Sequence, residues 1–181
     1  MTTKSEAPAD TSMMRIVHSA LRRDLQRAEI ALNSNPPPPP AQQLAIARHL
    51  EWMMSFLHAH HLSEDDGVYP LVRERDPAAA ELLDAMDSDH RAMASAIAEV
   101  EAAAGGSAGR DGPDQRLIDA VGSLSDVLLP HLEREENEMM PVVSSVVTDS
   151  EWRKLEEHYN LTGKSSAQLG FEGHWLIDGA S

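Results

Sequence analysis

The sequence predicts an all-α protein, an antiparallel up-down four-helix bundle with a short helical extension at its C-terminal end. Four long segments carry apolar residues at helical spacing, and no strand candidate lies between them. The 181 residues are enough for one domain with a substantial core. We expect residues 1–11 to be a disordered tail, residues 12–147 the bundle and residues 148–181 the extension.

The first helix is predicted at about residues 11–33, because Met14, Leu21, Leu25 and Leu32 fall on one face. Residues 36–40 are an unbroken proline run, which no helix survives. Proline runs favour the polyproline conformation. We therefore expect a stiff connection between the first two helices.

The second helix is predicted to begin near Ala41, where an apolar stripe starts. The stripe consists of Ile46, Leu50, Met53 and Leu57. Gly67 and Pro70 follow it, and both residue types weaken or interrupt a helix. We expect the helix to end or bend there.

The third helix is predicted to start after Pro77 and to stop at Gly105 and Gly106, which open a flexible loop reaching Gly112. The fourth helix follows, with an apolar stripe from Leu117 to Val142 and an expected kink at Pro130.

The extension is predicted to contain a fifth, shorter helix that runs to about Asn160. Its start is indicated by Thr148 and Glu151, which have the spacing of a capping box. The remaining tail has four apolar residues that we expect to pack on the bundle: Phe171, Trp175, Leu176 and Ile177.

Composition excludes several classes of protein. The chain has no cysteine, which rules out disulfides, thiolate zinc sites and iron–sulfur clusters. Its net charge of −15 argues against nucleic acid as a partner, since phosphate contacts need Lys and Arg. No apolar run approaches the roughly 20 residues that cross a membrane, and the polar N-terminus lacks a signal-peptide core. We expect a cytoplasmic protein without a membrane partner.

Two stretches of the chain repeat one another. His18 is followed 42 positions later by His60-x-x-x-Glu64, and His90 is followed 41 positions later by His131-x-x-x-Glu135. The same residue types follow each Glu: an acidic residue directly after it (Asp65, Glu136) and a proline six positions on (Pro70, Pro141). A His and a Glu four residues apart lie on one helix face, about 6 Å apart along the axis.

These repeated residues fall where each apolar stripe requires a core residue. A buried carboxylate is rarely tolerated unless it is paired or bound to a metal, because its desolvation costs several kcal/mol. Two buried Glu would repel each other unless a cation lay between them. Two solvated His–Glu pairs would not explain why both pairs are in phase with the stripes. The pattern therefore predicts a two-metal site in the middle of the bundle.

The second helix offers a rival register, since His61 and Asp65 are also four residues apart. The repeat favours His60 and Glu64, which alone superpose on the second pair with proline at the same offset. His61 and Asp65 lie about 100° around the helix. We interpret them as outer-sphere or solvent-facing residues. Three further histidines without a counterpart are interpreted as structural or surface residues: His49, His158 and His174.

The residue set resembles the hemerythrin-like proteins, the HHE cation-binding domain family, over about residues 12–147. The resemblance implies a non-haem di-iron centre whose two irons are bridged by oxo or hydroxo and by the two carboxylates. By that resemblance His18 and His60 hold one iron, His90 and His131 hold the other, and Glu64 and Glu135 span both.

The sequence departs from the oxygen-carrying hemerythrins, which have a second histidine one turn from the third-helix ligand. Here the positions one turn either side of His90 are Met86 and Ala94. Both irons are then expected to be open, which favours activation of peroxide or O2 over reversible O2 carriage. Met86 is interpreted as a packing residue rather than a ligand. Tyr69 is interpreted mainly as a packing residue, with the roles of proton donor and ligand left open.

The sequence thus favours a di-iron protein that reacts with O2, hydrogen peroxide or NO, with catalase-like peroxide handling in oxidative or nitrosative stress. Two alternatives stay open: a sensor, carrier or store of O2, NO or iron without turnover, and an oxidase or oxygenase of a small substrate. The partners expected are these small molecules.

Overall fold

A computed structural model describes residues 6–106 and 114–178, and this part of the chain is all-α, with helices and turns but no strand. The α-helices are α1 Ser12–Leu32, α2 Pro40–Ser63, α3 Tyr69–Arg75, α4 Ala80–Gly105, α5 Gln115–Arg134, α6 Met140–Val146, α7 Asp149–Glu156 and α8 Ser166–Ile177. Three five-residue π turns occur at Glu64–Val68, Glu135–Met139 and Glu157–Leu161, and a short 3-10 turn at Pro77–Ala79.

The helix starts follow the local chemistry of the sequence. Pro40 is the first residue of α2, where its missing N–H would be unpaired in any case, and Pro39 before it is extended at φ −63° and ψ 156°. Thr148 accepts from the Glu151 backbone N–H, and the Glu151 side chain accepts in return, so the predicted capping box is confirmed. Ser165 and Gln168 form a second capping box, which starts α8.

The four long helices pack in the cycle α1, α2, α4, α5, with α4 against both α2 and α5 and with α1 against both α5 and α2. Their buried apolar residues form two clusters, one containing Leu21 and Leu57 and the other containing Met14 and Val68. Along α1 the chain leaves the second cluster and enters the first, while along α2 and the π turn that follows it the chain does the reverse. Helices α4 and α5 repeat this alternation, as neighbouring antiparallel helices would.

The two prolines of the repeat widen the helix rather than end it. Pro70 and Pro141 have no N–H, so neither can bond to the carbonyl four residues earlier. Instead the backbone N–H groups of Tyr69 and Met140 bond to the carbonyls of Glu64 and Glu135, five residues back. The expected end or bend near Gly67 and Pro70 is thus a π turn that begins at the ligand Glu. Single π turns inside α-helices are frequent at functional sites.

The N-terminal segment differs from the prediction. Residues 6–11 were expected in a disordered tail, but the Ala9 N–H bonds to the Val147 carbonyl and the Asp149 N–H bonds to the Ala7 carbonyl. Ala9 is buried among the apolar residues of the second cluster. The composition of this segment is polar overall, so its short pairing with residues 147–149 left no periodic signal. Residues 1–5 lie outside the described residues.

Residues 107–113, which hold most of the predicted flexible loop, also lie outside the described residues. The end of α4 at Gly105 agrees with the predicted stop. Pro130 lies within α5. Among the described helices, none combines the length and hydrophobicity needed to cross a membrane.

The extension consists of α7, the third π turn and α8. Trp175 of α8 is buried, and its indole N–H donates to Asp24 of α1 at 2.8 Å. Asp24 also accepts from His49 Nε2 at 2.7 Å, so His49 has the structural role predicted for it. Phe171 and Ile177 are largely exposed, and Trp175 is the buried member of the apolar set that was expected to pack on the bundle.

Candidate metal centre

The six ligands predicted from the repeat come together at one level of the bundle, between the two apolar clusters. His18 lies between Met14 and Leu21 on α1, and His90 lies between Met86 and Met93 on α4. His60 and His131 lie on α2 and α5, and Glu64 and Glu135 begin the π turns that follow these helices. All six are at least nine-tenths buried: His18, His60, Glu64, His90, His131 and Glu135. The site is therefore a polar layer enclosed above and below by apolar side chains.

Glu64 spans two histidines with its two oxygens. Its Oε1 lies 3.0 Å from His60 Nε2, and its Oε2 lies 3.5 Å from His90 Nε2. Neither oxygen accepts a hydrogen bond of normal geometry. This carboxylate could therefore contact two cations, one beside His60 and one beside His90.

Glu135 occupies the matching place in the second half of the repeat. Its Oε2 lies 3.3 Å from His18 Nε2 and 3.8 Å from His131 Nε2. His18 Nε2 is in turn 3.3 Å from His60 Nε2. Four imidazoles and two carboxylates thus direct their ligand atoms into one enclosed space.

His61 is part of this space, so the solvent-facing interpretation of this residue is wrong. Its side chain is buried, its ring stacks on that of His90 with 4.2 Å between centroids, and its Nε2 has no hydrogen-bond partner. Ligand atoms of His61, Glu64, His90 and His131 lie within 4.8 Å of one another, as do those of His18, His60 and Glu135. The site therefore contains seven candidate ligands in two adjoining groups.

The position of His61 follows from helix geometry. At 100° per residue, Glu64 lies 40° past His60 on one side and 60° from His61 on the other. A carboxylate that reaches two metal positions therefore has one of these histidines on each side. The signal in the sequence was the spacing His61-x-x-Glu64, because residues three apart also share a helix face.

The acidic residue after each Glu fixes a histidine of the opposite half. His90 Nδ1 lies 2.7 Å from Asp65 Oδ1, and His18 Nδ1 lies 2.9 Å from Glu136 Oε1. A carboxylate only accepts, so each Nδ1 carries the proton and leaves the Nε2 lone pair directed into the site. Arg22 donates to the same Glu136 oxygen at 2.6 Å. The outer-sphere role predicted for Asp65 agrees with this arrangement.

The pKa values of the two buried carboxylates are shifted in opposite directions. Burial and the charge of Glu135 raise the pKa of Glu64 well above its ordinary value. Burial also acts to raise the pKa of Glu135, but hydrogen bonding to His18 and the nearby imidazoles outweigh it and lower that pKa. Burial lowers the pKa of His60 to about 3 and that of His131 to about 4. His60 and His131 are consequently neutral at pH 7, the form that binds metals.

Tyr69 lies beside the site rather than only in the apolar core. Its side chain is buried, and its hydroxyl donates to Glu135 Oε1 at 3.0 Å. Burial and the charge of Glu135 raise the pKa of Tyr69 well above its ordinary value, so the phenol is neutral. The packing role predicted for Tyr69 is therefore incomplete, because the phenol also donates a hydrogen bond to a candidate ligand.

The remaining residues singled out in the sequence stay out of the ligand groups. Met86 is fully buried in the second apolar cluster, which agrees with a packing role. His158 and His174 are exposed. Among the described residues, no other set of His, Asp and Glu brings its ligand atoms this close together.

The unpaired atoms test whether metal ions fit the site. Buried polar atoms are normally hydrogen-bonded. Here, unpaired buried atoms concentrate on the ligand residues: both oxygens of Glu64, Oε2 of Glu135, and Nε2 of His61, His90 and His131. Imidazole nitrogens and carboxylate oxygens suit iron, manganese and zinc. The donor set and its unpaired atoms fit bound cations.

Comparison with known proteins agrees with the geometry. The family model of the hemerythrin HHE cation binding domain matches residues 9–143, which include all seven candidate ligands. Comparisons with curated proteins and with solved structures gave no match. The family match ends before α7, so the extension lies beyond it.

Proposed function

The chain belongs to the hemerythrin HHE cation-binding domain family, and on that premise we propose that it is a di-iron protein that reacts with O2, hydrogen peroxide or NO. The observation that carries the proposal is the pair of adjoining groups of buried ligand atoms, each compact enough for one ion. Imidazole and carboxylate donors suit iron, and the resemblance to hemerythrins favours iron over manganese and zinc.

We assign three histidines to one iron and two to the other. His61, His90 and His131 belong to the first group of ligand atoms, and His18 and His60 belong to the second. Glu64 and Glu135 are near histidines of both groups and are assigned to both ions. The ion beside His18 and His60 has one imidazole fewer, so the open position for an incoming molecule is assigned to it. This replaces the expectation of two equally open irons.

When bound, the two iron ions would supply the redox equivalents and the Lewis acidity for the reaction of O2 or peroxide. The residues of the chain supply the rest. Tyr69 holds a proton at its hydroxyl next to Glu135, and Asp65 and Glu136 hold the Nδ1 protons of His90 and His18. The two apolar clusters on either side of the ligands exclude bulk water.

Catalase-like handling of peroxide is the reaction we favour. Two hydrogen peroxide molecules give one O2 and two waters, so no outside reductant is required. A neutral phenol that donates to Glu135, a carboxylate assigned to both ions, supports this choice, because peroxide cleavage takes up protons. A role in oxidative or nitrosative stress follows from this reaction.

Binding of O2 or NO without turnover is the second candidate. It is favoured by His61, which adds a third imidazole to one ion and leaves one open position rather than two. A single open position suits a molecule that binds end-on and leaves unchanged. In that case the protein is a carrier, sensor or store.

Metal analysis combined with peroxide assay tests the proposal. Protein purified from iron-replete cells is expected to carry about two irons per chain and to show the near-ultraviolet band of a bridged diferric centre. Addition of hydrogen peroxide is expected to release half a molecule of O2 per peroxide consumed. Two irons without O2 release would favour the second candidate, and a chain that binds no iron would contradict both.

A further inference from the structure

The extension covers part of a cavity on one side of the candidate metal centre. The cavity has a volume of about 390 Å³ and lies between the bundle and the segments α7, third π turn and α8. These segments lie beyond the family match, which ends at residue 143. The cavity is therefore a feature of this chain rather than of the matched domain.

Two contacts hold the extension in place around the cavity. Trp175 of α8 donates to Asp24 and packs edge-on against Trp52, with 5.0 Å between ring centroids. At the other end, Gly67 of the first π turn is covered by the Tyr159 ring so closely that a Cβ on Gly67 would lie 2.7 Å from Tyr159 Cε2. The walls of the cavity are thus fixed at both ends.

The lining is mostly apolar and comes from three directions. Side chains from α1, from α2 and from the extension face each other across the space. They include Met14, Val17, Phe56, Trp152, Leu155 and Leu169. An apolar chamber is poorly hydrated, so an apolar molecule can occupy it without displacing well-bound water.

The inner end of the cavity is formed by two candidate ligands, His60 and Glu64. Glu64 is 1% exposed, and both of its oxygens lack a hydrogen bond. His60 belongs to the group with fewer imidazoles. A molecule in the cavity would therefore lie next to the position assigned as open.

The charges of the lining favour a neutral occupant. Lys164 is the one Lys or Arg among the described residues that line the cavity, and its Nζ is paired with Glu172 Oε2 at 2.7 Å. Glu156 also lines the cavity. No free cation is therefore available to pair with an anionic ligand.

The volume sets the size of the occupant. A 150 Å³ apolar cavity in another protein holds benzene, so 390 Å³ corresponds to about 10 to 16 non-hydrogen atoms. Such a space is far larger than O2 or peroxide requires. We propose that this cavity is a binding site for a small, neutral, apolar organic molecule, aromatic or aliphatic, held beside His60 and Glu64. The position of this molecule beside an open iron rests on the proposed function, whereas the binding itself does not.

Two glycines of α8 provide a matched pair of variants. Gly173 lines the cavity together with Leu169, Glu172 and Leu176, positions that share one helix face, while Gly170 does not line it. A Cβ at either glycine meets no atom within 4 Å. Gly173→Trp should therefore fill part of the cavity, and Gly170→Trp should add the same side chain outside it.

The test is a titration of the iron-loaded protein with naphthalene, followed by methyl NMR of ¹³C-labelled methionines. Met13 and Met14 line the cavity, and Met93 does not. We expect saturable shifts of the Met13 and Met14 methyls with little change at Met93. Gly173→Trp is expected to weaken binding at least about fivefold, a difference of about 1 kcal/mol, with Gly170→Trp close to the parent.

Several results would overturn the proposal. These are no saturable binding, equal binding by the two Trp variants, or octanoate binding more tightly than naphthalene. Iron content measured on the same samples separates this proposal from the proposed function. Naphthalene binding by a chain that takes up no iron would reject only the di-iron function, and two irons without naphthalene binding would reject only the cavity site.

Discussion

The two halves of the internal repeat present the same set of candidate ligands but differ at other positions, and three of these differences bear on the site. The first half has His61, Gly67 and Tyr69, where the second half has Leu132, Glu138 and Met140. Each position of the first half has a distinct contact: His61 stacks on His90, Gly67 lies under Tyr159, and Tyr69 donates to Glu135. The repeat thus supplies a symmetric set of six ligands, and three substitutions make the site asymmetric.

The differences between the two halves affect the same side of the site. His61 adds an imidazole to the group of His90 and His131, so the group of His18 and His60 has fewer. Gly67 lets the extension approach closely, and the cavity beneath the extension reaches His60 and Glu64. The side with fewer imidazoles is therefore also the side with space for an incoming molecule.

The largest effect is expected when a shared ligand is removed. Glu64→Ala should lose most of the bound metal, because Glu64 lies near histidines of both groups. Metal content after dialysis measures this. Glu138→Ala, an exposed acidic residue of the second π turn, is the control and should keep its metal. Full metal content in Glu64→Ala would mean that the carboxylate is not a ligand.

Metal also stabilises the fold if it binds there, since binding to the folded state alone raises the free energy of unfolding. Chelation should therefore lower the melting temperature of the parent protein. Chelation should lower the melting temperature of Glu64→Ala much less. Equal melting temperatures of the parent with and without metal would contradict a buried site.

The second effect comes from making the first half like the second. His61→Leu introduces the residue found at Leu132 and removes one imidazole from the richer group. We expect the protein to lose about one of the two metal ions, or to bind that ion at least roughly 10- to 100-fold more weakly. That range is the typical loss of affinity when a residue that orients a metal ligand is changed, and removal of a ligand should cost no less. His58→Leu, which changes an exposed histidine of the same helix, is the control. Indistinguishable metal binding by the two variants would restore the outward-facing interpretation of His61.

A smaller effect is expected at Gly67. Gly67→Ala puts a Cβ 2.7 Å from Tyr159 Cε2 and 3.2 Å from Leu155 Cδ2, so the extension must shift. Crowding of this kind destabilises by about 1–3 kcal/mol. Gly122→Ala in α5, whose Cβ would meet no atom within 4 Å, should instead stabilise by about 0.5–1 kcal/mol. Urea unfolding measures both, and a stabilised Gly67→Ala protein would show that the contact with Tyr159 is loose.

The smallest effect is expected at Tyr69. Tyr69→Phe keeps the ring and removes the hydrogen bond to Glu135, which contributes about 0.5–1.5 kcal/mol. The metal should remain, and the rate of O2 release from peroxide should fall if the phenol donates a proton. An unchanged rate in a variant that keeps both irons would leave Tyr69 only its packing and hydrogen-bonding role.

The repeat made most of the site predictable from the sequence. The six ligands, the helix that carries each one and the capping box at Thr148 follow from spacing, because helical periodicity fixes which residues share a face. His61 was missed because the comparison of the two halves selects only residues that both halves contain. The second half has Leu132 at the position of His61. The π turns were missed because Pro70 was interpreted as the end or bend of a helix and Pro141 only as a position of the repeat, whereas a missing N–H can also widen a helix by one residue.

The cavity was beyond reach of the sequence for a different reason. Its lining comes from α1, α2, α7 and α8, which are far apart along the chain. Spacing within one helix carries no information on which helices face each other. The Asp24 hydrogen bonds to His49 and Trp175 that fix the extension are likewise contacts between distant segments.

The central claim is an asymmetric two-metal site with seven protein ligands. A crystal structure of the iron-loaded protein with anomalous data at the iron edge tests it most directly. We predict two iron peaks, one bonded to nitrogens of His61, His90 and His131 and the other to nitrogens of His18 and His60, with Glu64 and Glu135 bound to both. A single peak, or two peaks with the His61 ring turned out of the site, would contradict the claim.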